Sequence, residues 1–383
     1  MKKILHAACA FVLFALLAAV PCGASDAGGL EMPEEIDDFL SAVPDEVAEL
    51  LPEGFLDGDG GFGEAVRRAS GGEYLINTAL RIIGGGLDEA AGTFCTLVGI
   101  ALVAAVFGSV RQSLFSRGLS DALGLAVNSA AAVAAVGVQY GRFAAVRSYF
   151  ESLRLIMSSL LPLMGVLYTM GGNSGGAVLN NSTVLLWLEL INLLATAFII
   201  PAASVMTALA LAGAFLPGIR LSGISGSIGK ALGTLLGLCA VLLGTALGAQ
   251  SVITASGDRL GFKTAKFVAG SVIPVVGSTV GESLNTLAAS VSMLRGTVGV
   301  AGIVVIILLL LPTLLSLLLT RLSFSAAAGV AEMLGCDSQA RLYRDISSVY
   351  GLLIAAAVLS ALMFVFALLA YWKILKRDIA MAV

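Results

Sequence analysis

From about residue 93 to the C-terminus, long apolar runs alternate with short polar stretches. Residues 298–319 and 350–371 are each long enough to cross a hydrocarbon core of about 30 Å as a helix. A spanning β-barrel would instead show short segments of alternating polarity, and these runs are continuous. The pattern predicts helices near 93–110, 119–139, 153–170, 178–199, 202–216, 228–250, 268–280, 297–320 and 347–372. Two of them, 202–216 and 268–280, are too short to span and carry or adjoin Pro and Gly, as re-entrant or broken helices do. The expected fold is all-α: a polytopic transmembrane helical protein with a signal peptide, internal repeats and broken or re-entrant helices.

The repeat rests on order as well as apolarity. Ala122-Leu123-Gly124 leads, past Arg142 to Arg154, to Leu161-Pro162-Leu163-Met164-Gly165. Ala231-Leu232-Gly233 leads, past Arg259 to Lys266, to Ile273-Pro274-Val275-Val276-Gly277. Units therefore start near 119 and 228, with a partial third near 343. Each full unit is a long helix, a basic amphipathic stretch, a Pro-Gly interruption and another apolar run, an organisation found in transporters and channels.

Composition agrees with the class: 58% of the residues are hydrophobic and 12% charged. Lys2 and Lys3, the apolar residues 4–20 and the small residues of Cys22-Gly23-Ala24 read as a signal peptide cut after Ala24, or else as an uncleaved anchor. Either way the following segment lies outside the cytoplasm. Residues 26–65 hold thirteen carboxylates and no Lys or Arg, and Ile36, Phe39, Leu40, Val43, Val47, Leu50 and Leu51 recur at helical spacing. One or two short amphipathic helices are expected there, serving as a solvated tether or as a docking surface. Lys373, Lys376 and Arg377 after Trp372 mark a cytoplasmic C-terminus. The organisation expected is signal peptide 1–24, acidic extracytoplasmic segment 25–76, membrane domain 77–373 with about seven spans, and cytoplasmic tail 374–383.

Chemistry is sparse. His6 is the single histidine and belongs to the signal peptide, so imidazole catalysis and His-based metal binding are excluded from the mature chain. Cys95, Cys239 and Cys336 are far apart and imply no disulfide framework. Residues 223–231 (GISGSIGKA) glance at a phosphate loop, but Ile224 stands where that spacing needs Gly and Ala231 where Ser or Thr would hold magnesium. No catalytic residue, metal, cofactor or nucleic-acid partner is expected, and energy must come from a partner or a gradient.

Three groups of residues stand out. Asp258, Arg259, Lys263, Lys266 and Glu282 put five charges between two uncharged apolar stretches. Lys263 and Lys266 share a helix face beside Phe262 and Phe267. That suits an interfacial helix on lipid, or one that sets the Pro274 to Gly277 break at a gate or subunit contact. Glu189, with Asn181 and Asn192, forms an intramembrane polar seam, or else Glu189 pairs with an Arg of a neighbouring subunit or sits near the interface beside Trp187. Gly233 with Gly237, and Gly244 with Gly248, are small-xxx-small pairs that allow close helix approach within the chain or between copies in a homo-oligomer.

Thr264-Ala265-Lys266-Phe267, then Ile273-Pro274-Val275-Val276-Gly277, then the stretch from Glu282 to Leu287, resemble the signature region of the stage III sporulation protein AE family. The closing helix after Tyr343-Arg344-Asp345-Ile346 is similar too. The resemblance implies a membrane component of the mother cell to forespore channel of endospore-forming bacteria. Its implied site is the mother-cell membrane surrounding the forespore, its implied partners are sister subunits and a cytoplasmic secretion-type ATPase, and no catalytic residues are assigned. The repeat and the broken helices support another reading, a self-contained secondary transporter.

Overall fold

The computed structural model describes residues 35–56, 61–111, 117–170, 185–186, 188–215, 223–239, 241–242, 245 and 277–382. Among them the backbone is helical apart from short turns, with no strand. The helices are α1 (Glu35–Ser41), α2 (Asp45–Ala48), α3 (Phe62–Ala69), α4 (Gly72–Arg111), α5 (Arg117–Met170), α6 (Leu188–Phe215), α7 (223–239), α8 (Gly277–Met333) and α9 (Asp337–Ala382). The expected signal peptide, and residues 246–276 of the second repeat unit, lie outside the described residues.

The acidic segment folds because its apolar positions fall on one side of each short helix. Carboxylates open α1 and α2, where they meet the positive end of the helix dipole. Ile36, Phe39, Val47 and Phe55 are buried, and the Phe55 ring meets Phe62 edge-on at 5.6 Å. In α3, Phe62, Ala65, Val66 and Ala69 form the buried face while Glu64 pairs with Arg68 at 2.6 Å on the outside. α1 packs on α5, and α3 on α8 and α4. Tyr74 Oη on α4 donates to Leu50 O at 2.7 Å, fastening the loop between α2 and α3. The segment is therefore docked on its own helix bundle rather than hanging free as a tether, with its carboxylates and the Arg67 and Arg68 side chains outward.

Five helices among the described residues, α4, α5, α6, α8 and α9, are long and apolar enough to cross a membrane. Their directions follow from side-chain contacts. Ser323 Oγ donates to Ala90 O at 2.8 Å, and a Cβ on Gly86 would come within 2.9 Å of Leu319 Cδ1, so α8 runs parallel to α4. Gln339 Nε2 donates to Asn128 Oδ1 and Tyr149 Oη to Ala357 O, so α9 runs parallel to α5. α6 begins with Glu189 beside Arg154 and ends with Ala214 beside Asn128, antiparallel to α5. α7 returns from Gly229 beside Met206 to Leu236 and Cys239 beside Leu194 and Ile199. Successive long helices thus alternate in direction, and the most extensive contact is between α8 and α9.

α8 and α9 are joined by Leu334-Gly335-Cys336. Gly335 has φ +73°, its N–H bonds Glu332 O at 3.0 Å, and Cys336 N–H bonds Ala331 O at 2.8 Å. This pair of bonds closes the end of α8 and needs the left-handed backbone that glycine adopts at least cost.

Several predicted boundaries move. The helices expected at 119–139 and 153–170 are one helix of 54 residues, about 80 Å long at about 1.5 Å per residue. The basic stretch between them is amphipathic: Val146, Tyr149, Phe150 and Leu153 are buried while Arg147 and Glu151 pair on the exposed side. The interruption expected at Pro162 does not occur. Pro162 is exposed on the outside of α5 while Leu160, Leu161, Leu163 and Met164 around it are buried, so packing holds the helix through the missing donor.

The segment expected to be too short at 202–216 is the second half of α6. Its first half connects through a π-helical turn, Leu194–Ile199, just before Pro201. A wider turn re-aims the carbonyls that the proline ring would otherwise strike. The helix expected at 297–320 begins at Gly277 and runs to Met333, and it absorbs the end of the one expected at 268–280.

An ion pair and a hydrogen bond cross the bundle at a common level. Arg142 on α5 reaches Glu89 on α4 at 2.5 Å, and Ser347 Oγ on α9 donates to Arg321 O on α8 at 3.4 Å. On one side of this level lie the apolar residues 93–110 of α4 and 122–139 of α5. On the other lie 297–320 of α8, 351–365 of α9 and 155–170 of α5. α5 therefore extends well past one hydrocarbon thickness of about 30 Å.

Candidate functional site

The fold places Glu189 and Asn192, two of the three residues of the expected polar seam, on α6. Glu189 Oε2 lies 3.6 Å from Arg154 Nη2, with both side chains more than half exposed. The partner Arg154 is in the same chain, whereas the expected alternative was an Arg of a neighbouring subunit. Such an exposed pair contributes at most about 1 kcal/mol. Asn192 is half-buried one turn along α6, and its carbonyl accepts from Thr196 Oγ1 at 2.8 Å. Asn181 lies outside the described residues.

Lys263, Lys266, Phe267 and Pro274 also lie outside the described residues. Gly277 is the first residue of α8, with Glu282 on its opening turns. Of the small-xxx-small glycines, Gly244 and Gly248 are outside the described residues. At Gly233 and Gly237 a Cβ would meet nothing within 4 Å, so among the described residues no helix approaches them closely. Close approach occurs instead at Gly86, against Leu319, and at Gly302, where a Cβ would stand 2.6 Å from Leu160 Cδ2 and 3.3 Å from Leu368 Cδ1. Neither belongs to a Gly-xxx-Gly pair, the spacing singled out in the sequence.

The fold gathers polar groups along the seam where α5 meets α9. At one end Asn128 Nδ2 donates to Ala214 O at 2.8 Å, Ser338 Oγ donates to the same carbonyl at 3.0 Å, and Gln339 Nε2 donates to Asn128 Oδ1 at 2.7 Å. These bonds tie the C-terminal end of α6 to α5 and α9 and satisfy a carbonyl that a helix end leaves open. At the other end the buried Tyr149 Oη donates to Ala357 O at 2.9 Å, with Ser360 Oγ at 3.3 Å. Between them Tyr343 Oη donates to Leu97 O at 3.1 Å, binding α9 to α4. Sequence carried a signal for this: Asn128 and Gln139 are amides in an otherwise apolar run, spaced 11 residues apart and so on nearly the same helix face.

An apolar recess lies beside the seam among α5, α6, α7 and α9, lined by Phe150, Leu194, Leu236, Met363 and, as its hydroxyl, Ser360. Its lining supplies hydrophobic contact and no acid, base or nucleophile beyond Cys239 and that hydroxyl. Cys95, Cys239 and Cys336 are free thiols. Cys336 is buried in the α8–α9 turn with Sγ 3.5 Å from Ala101 O, and burial, helped by the Asp337 carboxylate, pushes its thiol pKa up. That opposes nucleophilic use. Among the described residues no three His, Cys, Asp or Glu side chains converge as a metal site would require. The chemistry the arrangement offers is polar fastening of apolar helices.

Comparison with known proteins gives a family and one relative. The family model described as stage III sporulation protein AE matches residues 72–373. Stage III sporulation protein AE of Bacillus subtilis (strain 168) is 22% identical over 343 residues, covering 86% of this chain and 83% of that one. No solved structure matches.

Proposed function

This chain belongs to the stage III sporulation protein AE family, whose name marks a role in sporulation and is not that of an enzyme; from that premise we propose that it is a membrane subunit of the mother cell to forespore channel. The observation that carries the reading is the extent of the family match, which starts at the first residue of α4 and runs through the apolar part of α9. The shared part is the helix bundle itself. The acidic helices α1 to α3 precede the family-matched residues and dock on that bundle.

In this role the chain sits in the mother-cell membrane facing the forespore, beside sister subunits, and a cytoplasmic secretion-type ATPase supplies the energy. The fold supports such a part: five apolar helices, α4, α6 and α8 running one way and α5 and α9 the other, fastened by internal hydrogen bonds, with apolar surface left outward on α4. The test is deletion in the parent spore-former, with restoration by the full-length chain. Arrest after engulfment, with late forespore gene expression lost and then restored, is the expected result. Normal spores from the deletion strain would contradict the role. Substrate-dependent flux through liposomes containing this protein alone would favour a self-contained transporter instead.

A further inference from the structure

The α5–α9 seam repeats one register. Gln339 and Asn128 are 211 positions apart, and so are Ser360 and Tyr149. Both pairs are polar, face each other across the two parallel helices and are joined within hydrogen-bond distance at 2.7 and 3.3 Å. Gln139 and Tyr350 fall between them, also 211 positions apart, 11 residues on from Asn128 and Gln339 respectively. Eleven residues are close to three helical turns, so the middle pair returns to the same level on both helices. The register gives the seam three polar rungs, two of them joined by contact and the middle one placed by spacing.

The middle rung differs from the other two. Gln139 is 2% exposed and Tyr350 is fully buried, yet Gln139 Nε2, Gln139 Oε1 and Tyr350 Oη have no hydrogen-bond partner among the described residues. Buried amides and phenols are almost always bonded, to protein or to an ordered internal water. Phe324 packs on the Tyr350 ring at 5.7 Å, and a charged group lies close as well. Arg142, one turn from Gln139, is near enough for its charge to act on Tyr350, and it holds Glu89 on α4 at 2.5 Å. An internal water typically makes about three hydrogen bonds to groups of this kind, and this rung presents a donor, an acceptor and a hydroxyl able to act as either.

We propose that Gln139 and Tyr350 form a buried water-binding site, the hydrated middle rung of the α5–α9 ladder. The end rungs are closed by direct side-chain contacts, and the middle rung is closed through the solvent molecule, near the Arg142–Glu89 pair. The middle of the seam can thus exchange hydrogen-bond partners without exposing a bare polar group, whereas its ends cannot.

Radiolytic hydroxyl labelling of the intact protein in detergent, read by mass spectrometry, tests this directly, because an internal water generates its radical beside a side chain that bulk solvent cannot reach. Tyr149 and Tyr343 are the internal controls, both buried and both bonded to a backbone carbonyl. Tyr350 is expected to be oxidised several-fold faster than either. Gln139→Leu should bring its rate down to theirs, with Tyr149 and Tyr343 unchanged as a check that the variant is folded. Equal protection of all three tyrosines in the wild-type protein would overturn the proposal. So would fast labelling of Tyr350 that persists in Gln139→Leu with the controls still protected, since the water would then not be held by this pair.

Discussion

α4 and α9 have nearly the same mean hydropathy in their most apolar windows, yet 11% of the α4 window is buried inside the protein against 72% for α9. Apolarity therefore says that a segment avoids water and not what it touches. The difference lies in neighbours. α9 packs along α8, α6 and α5, with Tyr149, Ser338 and Gln339 bonding across its seams. α4 touches the bundle through one stripe, including Leu75, Leu97 and Ala101, and leaves Leu102, Val103 and Val106 about half exposed or more. In a membrane protein, surface of that kind is suited to lipid, where helices gain little from hydrophobic association and depend on packing and hydrogen bonds.

The sharpest break in this comparison comes from glycine. Gly302→Leu places a side chain where Leu160 and Leu368 already stand, and overpacking of this sort costs about 1–3 kcal/mol or more. Gly99→Leu on α4 meets open space, and a surface change there stays within about 0.5 kcal/mol of zero. Thermal unfolding in detergent should show a clearly lowered midpoint for the first variant and little change for the second. Gly302→Ala should be intermediate, because the atoms it meets are the ends of flexible leucines.

A hydroxyl pair gives a smaller contrast. Tyr149→Phe removes a buried bond to Ala357 O, worth about 0.5–1.5 kcal/mol. Thr96→Val on α4 removes an exposed bond within its own helix, to Gly92 O, and should change stability by no more than a few tenths of a kcal/mol. Equal losses in denaturant titrations would mean that α4 is packed as tightly as α9.

Thiol chemistry separates the same regions without altering their packing. Cys95 on α4 is exposed and should react quickly with a lipid-permeant maleimide. Cys336 should react many times more slowly, since it is buried and its pKa is raised, so its thiolate appears only at a higher pH than that of an ordinary thiol. Comparable rates at neutral pH would place the α8–α9 turn at the surface.

The smallest expected effect is in the acidic segment. Hydrogen bonding and charge from Arg68 lower the Glu64 carboxyl from its usual value of 4.5. A lowered folded-state pKa means that the pair stabilises α3 above the ordinary carboxylate range and that the contribution is lost as pH falls through the folded value. Glu64→Gln should flatten that acid dependence slightly, and an unchanged acid unfolding curve would show that the pair contributes nothing.

Much of the helical fold was legible because an uncharged apolar run of about 20 residues matches the thickness of a bilayer and little else. The joins were not. Arg142, Arg147 and Arg154 looked like connector charges, and only the interleaved Val146, Tyr149, Phe150 and Leu153 betray a continuous amphipathic helix. Pro162 and Pro201 looked like breaks, whereas one is carried through on an exposed face and the other is absorbed by a π-helical turn. Apolar positions such as Ile36, Phe39 and Val47 foretold the short acidic helices correctly, but not the surface they dock on. Glu189 drew attention as a charge in an apolar run, while the polar ladder depends on uncharged amides and phenols whose partners are more than 200 residues away. That pairing is invisible until the helices are placed side by side.

α4 presents its apolar surface outward while α8 and α9 form the interior, and a photoactivatable acyl-chain probe in proteoliposomes reads that division directly, with cross-links mapped by mass spectrometry. Dense labelling is expected at Ile76 and Leu80 of α4, and protection at Leu353, Ile354 and Ala357 of α9, which lie at the same level of the bundle. Labelling of α9 as strong as that of α4 would contradict this arrangement of the bundle.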